Sequence, residues 1–131
     1  MLNKRFPFFR QYDQMDCGPT CLRMIAAHYG KHLSLQQLRE MCHIDREGVS
    51  FEGMMHAAEK MGMRTLAIKL PYHSDDEEKT GLTEVPVPCI VHWQQRHFVV
   101  VYKVNEKRVW IADPAKGKLK LDRKSFEKYW L

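Results

Sequence analysis

The sequence predicts an α+β fold, with helices from the N-terminal half packed on an antiparallel sheet from the C-terminal half. Two observations predict it. Apolar residues recur at helical spacing between residues 20 and 62, and each such run opens or closes on a capping residue. From residue 64 onward, short β-branched runs separated by turn residues take over. Runs of helices followed by runs of strands segregate into layers, unlike the strict alternation that builds a parallel sheet. A chain of 131 residues fits one domain, 1–131, and 44% hydrophobic composition is enough for its core.

The elements follow in order. Residues 1–16 read as extended and loop-like. Pro19 is acceptable in a first helical turn, and "CLRMIAAHYG" then places Leu22, Ile25, Ala26 and Tyr29 on one stripe before Gly30 stops the helix. Ser34 and Gln37 match a capping box for a second helix, with Leu35, Leu38 and Cys42 on one side. A third helix starts at Ser50 and stops at Gly62, with Met54, Met55, Ala58 and Met61 as core filler. "RTLAIKL" (64–70) alternates as a strand does, and "PYHSDDEEKTGLTEVP" (71–86) reads as a polar loop whose "SDDEE" keeps it solvated. "PCIVHW", "HFVVVYKV" and "RVWIAD" are strands, with "NEKR" a tight turn between the last two. "KLKLD" adds a further strand, and "DRKSFEKYW" a short closing helix.

Several function classes drop out early. No run of about 18 apolar residues exists to span a membrane, and the start lacks the apolar stretch and cleavage site of a secretory signal. The four cysteines, Cys17, Cys21, Cys42 and Cys89, are therefore expected to be reduced thiols. The net charge is +5, part of it in "KGKLKLDRK", which reads as a solvated face. No nucleic-acid-binding motif is present, and no nucleic acid is expected as a partner.

The chemistry concentrates in "QYDQMDCGPTCL" (11–22). Cys42 and Cys89 sit in apolar runs and read as small core residues, and Cys21, one turn after Cys17, packs inward. Cys17 differs because it stands where loop becomes helix. Unpaired N–H groups and the positive end of the helix dipole stabilise a thiolate there, and the thiolate is the nucleophilic form. Gly18 leaves the approach to the sulfur open. Zinc on Cys17, Cys21, Cys42 and His43 is the competing reading, but the spacings form no paired ligand pattern, so no metal is expected.

A cysteine nucleophile needs a base and a group that orients it. His28, His32, His43, His56 and His73 fall on helices or polar loops, where a surface role fits better. His97 opens the most apolar strand, where a sheet would hold its ring at the rim; His92 lies inside the preceding strand. The next hairpin carries Asp113, at the end of "RVWIAD", back toward that rim. A carboxylate there would fix the tautomer of His97 and favour imidazolium beside thiolate. An upstream carboxamide would donate to an oxyanion together with the Cys17 backbone N–H, and Gln11 and Gln14 both qualify.

"QYDQMDCGPTCLRMIAAHYG", followed by "RHFVVVYKV" and "IADPAKG", resembles the bacteriocin-processing, double-glycine-leader cysteine peptidase domains of peptidase-containing ABC transporters, which are papain-like. The likeness covers nearly the whole chain. It implies Cys17 as nucleophile, His97 as base and acid, Asp113 as its orienting partner, and Gln11 rather than Gln14 as oxyanion donor, with Asp16 in local structural support. It implies a secreted peptide precursor as substrate, cut after Gly-Gly or Gly-Ala, with the leader resting on a shallow apolar patch. It further implies transmembrane and ATP-binding domains of the same transporter as partners, and a place at the cytoplasmic face of the bacterial membrane. No cofactor is expected for the peptidase step, ATP and magnesium belonging to the separate domain. The alternative is a domain that docks the leader or cargo without cutting it, as relatives lacking the cysteine do.

Overall fold

The computed structural model describes residues 5–44, 49–63, 72, 81–93 and 97–130. The expected strand at 64–70, the acidic "SDDEE" and His73 lie outside them.

A short 3-10 turn, Gln14–Asp16, leads directly into α1, Cys17–His28. Residues 1–16 are thus not wholly extended, because Asp13 caps this turn through its side chain. Most of α1 is buried, since Cys21, Leu22, Met24, Ile25 and Ala26 face other elements on several sides. Tyr29 does not continue the stripe. It lies past the helix end and is 64% exposed, because Gly30 with φ +84° turns the chain out there.

Helix α2, Leu35–Cys42, begins at the predicted capping box: the Ser34 hydroxyl accepts from the Gln37 N–H at 3.1 Å, and the Gln37 side chain accepts from the Ser34 N–H at 2.9 Å. Helix α3, Phe51–Lys60, is capped by Ser50, whose hydroxyl accepts from the Gly53 N–H at 3.0 Å. Met54, Ala57, Ala58 and Met61 are core residues, whereas Met55 is only half-buried. Gly53 lets α3 approach the Cys42 carbonyl more closely than any side chain would allow.

Four antiparallel strands form one sheet in the order β1 (Cys89–Trp93), β2 (His97–Val104), β3 (Arg108–Asp113) and β4 (Gly117–Asp122). Val100 pairs with Ile90 on one side and with Ala112 on the other, so β2 lies between β1 and β3. The turn between β2 and β3 is closed by the Asn105 side chain, which accepts from the Lys107 and Arg108 N–H groups at 2.9 and 2.8 Å.

Alternation along the strands gives the sheet two buried faces. Phe98, Val100 and Ala112 pack with α1–α3. Val91, Trp93, Val99, Val101, Val109 and Ile111 pack on the opposite side with Phe126 of α4, Arg123–Tyr129. The loop at 71–86 contributes more than polar cover. Tyr72 and Leu82 are buried in this second cluster, and the Tyr72 hydroxyl donates to the Asn105 carbonyl at 2.6 Å. Two apolar residues 10 positions apart carry no periodicity, which is why the sequence hides them. Among the described residues, no helix is long and apolar enough to cross a membrane.

Candidate active site

Cys17 is the first residue of α1, directly after the 3-10 turn that Asp13 and Asp16 close with a capping box. The first N–H groups of a helix have no acceptor within it, which favours negative charge at that end. Cys17 is 6% exposed. Gly18 has a packing role that the sequence did not suggest: a Cβ at this position would collide with the Val49 and Met54 side chains.

His97 opens β2 and Asp113 ends β3, and antiparallel pairing brings these two strand ends to one rim. The His97 Nε2–H donates to Asp113 Oδ1 at 2.6 Å, and the Ala115 N–H donates to the same oxygen at 2.8 Å. Cys17 lies close enough to the His97 ring to act on its titration. With Nε2 engaged by the carboxylate, Nδ1 is the nitrogen left for the sulfur. Burial works against a charged ring, but the interactions with Asp113 and Cys17, reinforced by their charges, outweigh it and raise the His97 pKa from 6.5 to about 9. Asp113 is fully buried; burial alone would raise its pKa, yet the His97 and Ala115 hydrogen bonds bring it below the usual value.

The other thiols sit in environments that suppress ionisation. Burial, then the charges of Cys17 and Asp113, push Cys21 well up, and its thiol donates to the Phe98 carbonyl at 3.3 Å. Burial pushes Cys42 up to about 12 and Cys89 up to about 11. Cys89 is half-buried rather than fully inside. His92 faces the rings of Phe51 and Phe98 at 5.1 and 5.2 Å, and its pKa falls through burial and the charge of His97.

Gln11 and Gln14 separate clearly. Gln14 is exposed, whereas Gln11 is half-buried and tied to the His97–Asp113 rim by its own backbone, the Gln11 N–H donating to the Pro114 carbonyl at 2.8 Å. Its Nε2 donates one hydrogen to the Asp13 carbonyl at 2.9 Å and keeps the second.

Asp16 is fully buried and paired with a residue that sequence reasoning missed. Arg39 of α2 grips it with two hydrogen bonds, Nε to Oδ1 at 2.7 Å and Nη2 to Oδ2 at 2.5 Å. An arginine 23 positions away on an amphipathic helix reads as surface, so only a search for a counter-ion to the aspartate could have found it. The structure thus pairs His97 with Asp113, sets Cys17 close enough to act on the His97 ring, and ties the Gln11 backbone to Pro114, beside Asp113.

Known proteins share both sequence and fold. The chain is 39% identical over 124 residues to the lactococcin-G-processing and transport ATP-binding protein LagD of Lactococcus lactis subsp. lactis, covering 92% of this chain and 17% of that protein. It is 34% identical over 127 residues to the colicin V secretion/processing ATP-binding protein CvaB of Escherichia coli, covering 97% and 17%. The chain thus spans about a sixth of the length of these relatives. Among solved structures it resembles a double glycine motif protease from an AMS/PCAT transporter in complex with the leader peptide, with TM-score 0.84, 31% identity, and coverage of 96% of this chain and 86% of that one. The peptidase domain of Streptococcus ComA, a bi-functional ABC transporter, aligns with TM-score 0.81 and 28% identity over 96% of this chain and 93% of that one. The α+β architecture is accordingly that of the papain-like peptidase domains. With residues 5–131 matched by the family as a whole, the chain belongs to the Peptidase C39 family of cysteine peptidases.

Proposed function

We propose that this chain cleaves the leader of a secreted peptide precursor after a Gly-Gly or Gly-Ala pair, as the peptidase domain of an ABC exporter. The observation that carries the reading is the hydrogen bond from His97 to Asp113 at 2.6 Å, with Cys17 near enough to the ring to raise its pKa. The relatives named for processing and transport, and the neighbour holding a leader peptide, support the substrate class.

Each group then has one task. The Cys17 thiolate attacks the carbonyl of the second small residue, forming a C–S bond. Gln11 Nε2–H and the Cys17 N–H donate to the oxygen as it becomes an oxyanion. His97, charged at neutral pH, gives its proton to the leaving amine as the C–N bond breaks. It then takes a proton from the water that hydrolyses the thioester. Asp113 holds the ring through both proton transfers. Asp16 supports the turn ahead of the nucleophile. These groups complete the cycle with no cofactor; ATP and magnesium belong to a separate domain of the exporter. Residues 1–131 form one peptidase domain, placed at the cytoplasmic face of the membrane and attached to transmembrane and ATP-binding domains.

Incubation with a synthetic double-glycine precursor, read by mass spectrometry beside Cys17→Ala, tests the reading. A single cut after the pair, absent in the variant, is expected. Leader binding without any cut would move the function to docking alone.

A further inference from the structure

We propose that Arg39 is a positioning residue for the oxyanion donor, acting from α2 through Asp16 and Asp13 on Gln11. The inference rests on the proposed role of Gln11.

The connection is continuous. The Arg39 guanidinium grips both oxygens of Asp16, the residue immediately before the nucleophile. Asp16 Oδ2 also accepts from the Asp13 N–H at 3.2 Å, and the Asp16 N–H donates to the Asp13 carbonyl at 3.1 Å. The Asp13 side chain closes the same turn by accepting from the Met15 N–H at 2.8 Å and lies 3.6 Å from Arg39. The Asp13 carbonyl is also the acceptor that orients Gln11 Nε2. Gln11 Oε1 is buried and has no partner among the described residues, so the carboxamide is oriented by this one contact. A shift of Asp13 therefore moves the donor directly.

Geometry and charge both require arginine. Asp16 is fully buried, and a buried carboxylate without its counter-ion would oppose negative charge on the neighbouring sulfur. The planar fork holds two oxygens at once and so fixes the rotation of Asp16 as well as its position. Lysine would keep the charge and lose the second contact. The side chain of Arg39 is still 27% exposed, so solvent was within its reach. Its inward, two-contact placement is what a plain solvated helix face does not need.

The test is a cycle of the 131-residue protein, Arg39→Lys, Gln11→Ala and the double variant, cutting a synthetic double-glycine precursor. Arg39→Lys is expected to lower kcat about 10-fold with KM unchanged, since misplacement of the donor, not loss of substrate contact, is the defect. Gln11→Ala is expected to lower kcat about 100-fold. The double variant should lie within about 3-fold of Gln11→Ala, because Arg39 has nothing left to position. Multiplied effects in the double variant would overturn the relay while leaving Gln11 as donor. Unchanged activity in Gln11→Ala would overturn the donor assignment and the relay with it. If Arg39→Lys fails to fold, Asp16→Asn/Arg39→Gln removes both charges together and must show the same dependence on Gln11.

Discussion

Replacing Asp113 by asparagine separates the two things the carboxylate supplies, orientation and charge. The amide oxygen of Asp113→Asn can still accept from His97 Nε2–H and from the Ala115 N–H, the two partners of Asp113 Oδ1. The negative charge is lost. In the native protein the rise of His97 from 6.5 to about 9, at 1.36 kcal/mol per pH unit, is a preference for the imidazolium of about 3 kcal/mol. The His97 side chain is only 18% exposed, so solvent screens little of it. Asp113 and Cys17 share that preference, and an opposite charge in contact is worth about 1 to 3 pH units. Proton NMR of the His97 ring should therefore show its midpoint falling by at least about one unit in Asp113→Asn. The basic limb of the kcat profile should move down with it, since the leaving amine needs a protonated ring. At neutral pH the loss in kcat should be about 10-fold, against about 100-fold or more for Asp113→Ala, which also frees the ring. A basic limb that stays in place in Asp113→Asn would refute the assignment of Asp113 as the source of the charge.

Alkylation separates chemistry from exposure among the thiols. Iodoacetamide near pH 7.5 should label Cys17 before Cys89, although Cys17 is buried and Cys89 only half-buried; peptide mapping showing Cys89 first would remove the case for an activated Cys17. Gly18→Ala should cost about 1–3 kcal/mol in chemical denaturation through the clash with Val49 and Met54, and unaltered stability would mean α3 can yield. Phe126→Ala empties a fully buried site against Trp93 and Tyr72 and should cost about 3–5 kcal/mol, lowering the Tm well before it touches kcat near the melting-free range. Because the folded pKa of His97 lies above its unfolded value, its contribution to stability is fully present below pH 6.5 and is lost as pH climbs through about 9. Denaturation of His97→Gln should show a flatter curve across that window than the native chain.

Local signals were readable because their causes are local. Ser34 with Gln37, Ser50, Gly30 and Gly62 each act within four residues, and the end of α1, the start of α2 and both ends of α3 lie beside them. The hairpin that joins His97 to Asp113 was also accessible, since one tight turn between two strands fixes which ends meet. Cys17 could be singled out because it opens its helix. Three other features depend on contacts that no window of sequence contains. The packing requirement at Gly18 is set by Val49, 31 residues later. Tyr72 and Leu82 sat in a stretch dominated by charge and still belong to the second core.

Arg39 is the instructive case. A buried carboxylate next to a nucleophile raises a physical demand, since leaving Asp16 unpaired would cost several kcal/mol and set a negative charge against the thiolate. The demand is visible at Asp16 once its burial is known, but the sequence offers 21 lysines and arginines to meet it. What selects Arg39 is the packing of α2 on α1, which turns one edge of an otherwise amphipathic helix toward the turn at Gln14–Asp16. Cys17, His97 and Asp113 lie on α1 and at two strand ends and Gln11 in the segment before α1, while Arg39, the positioning residue we propose, lies on a helix with no other part in the site. Substitutions on α2 that leave its apolar face intact but tilt it against α1 should therefore lower kcat through Asp16 before they lower stability.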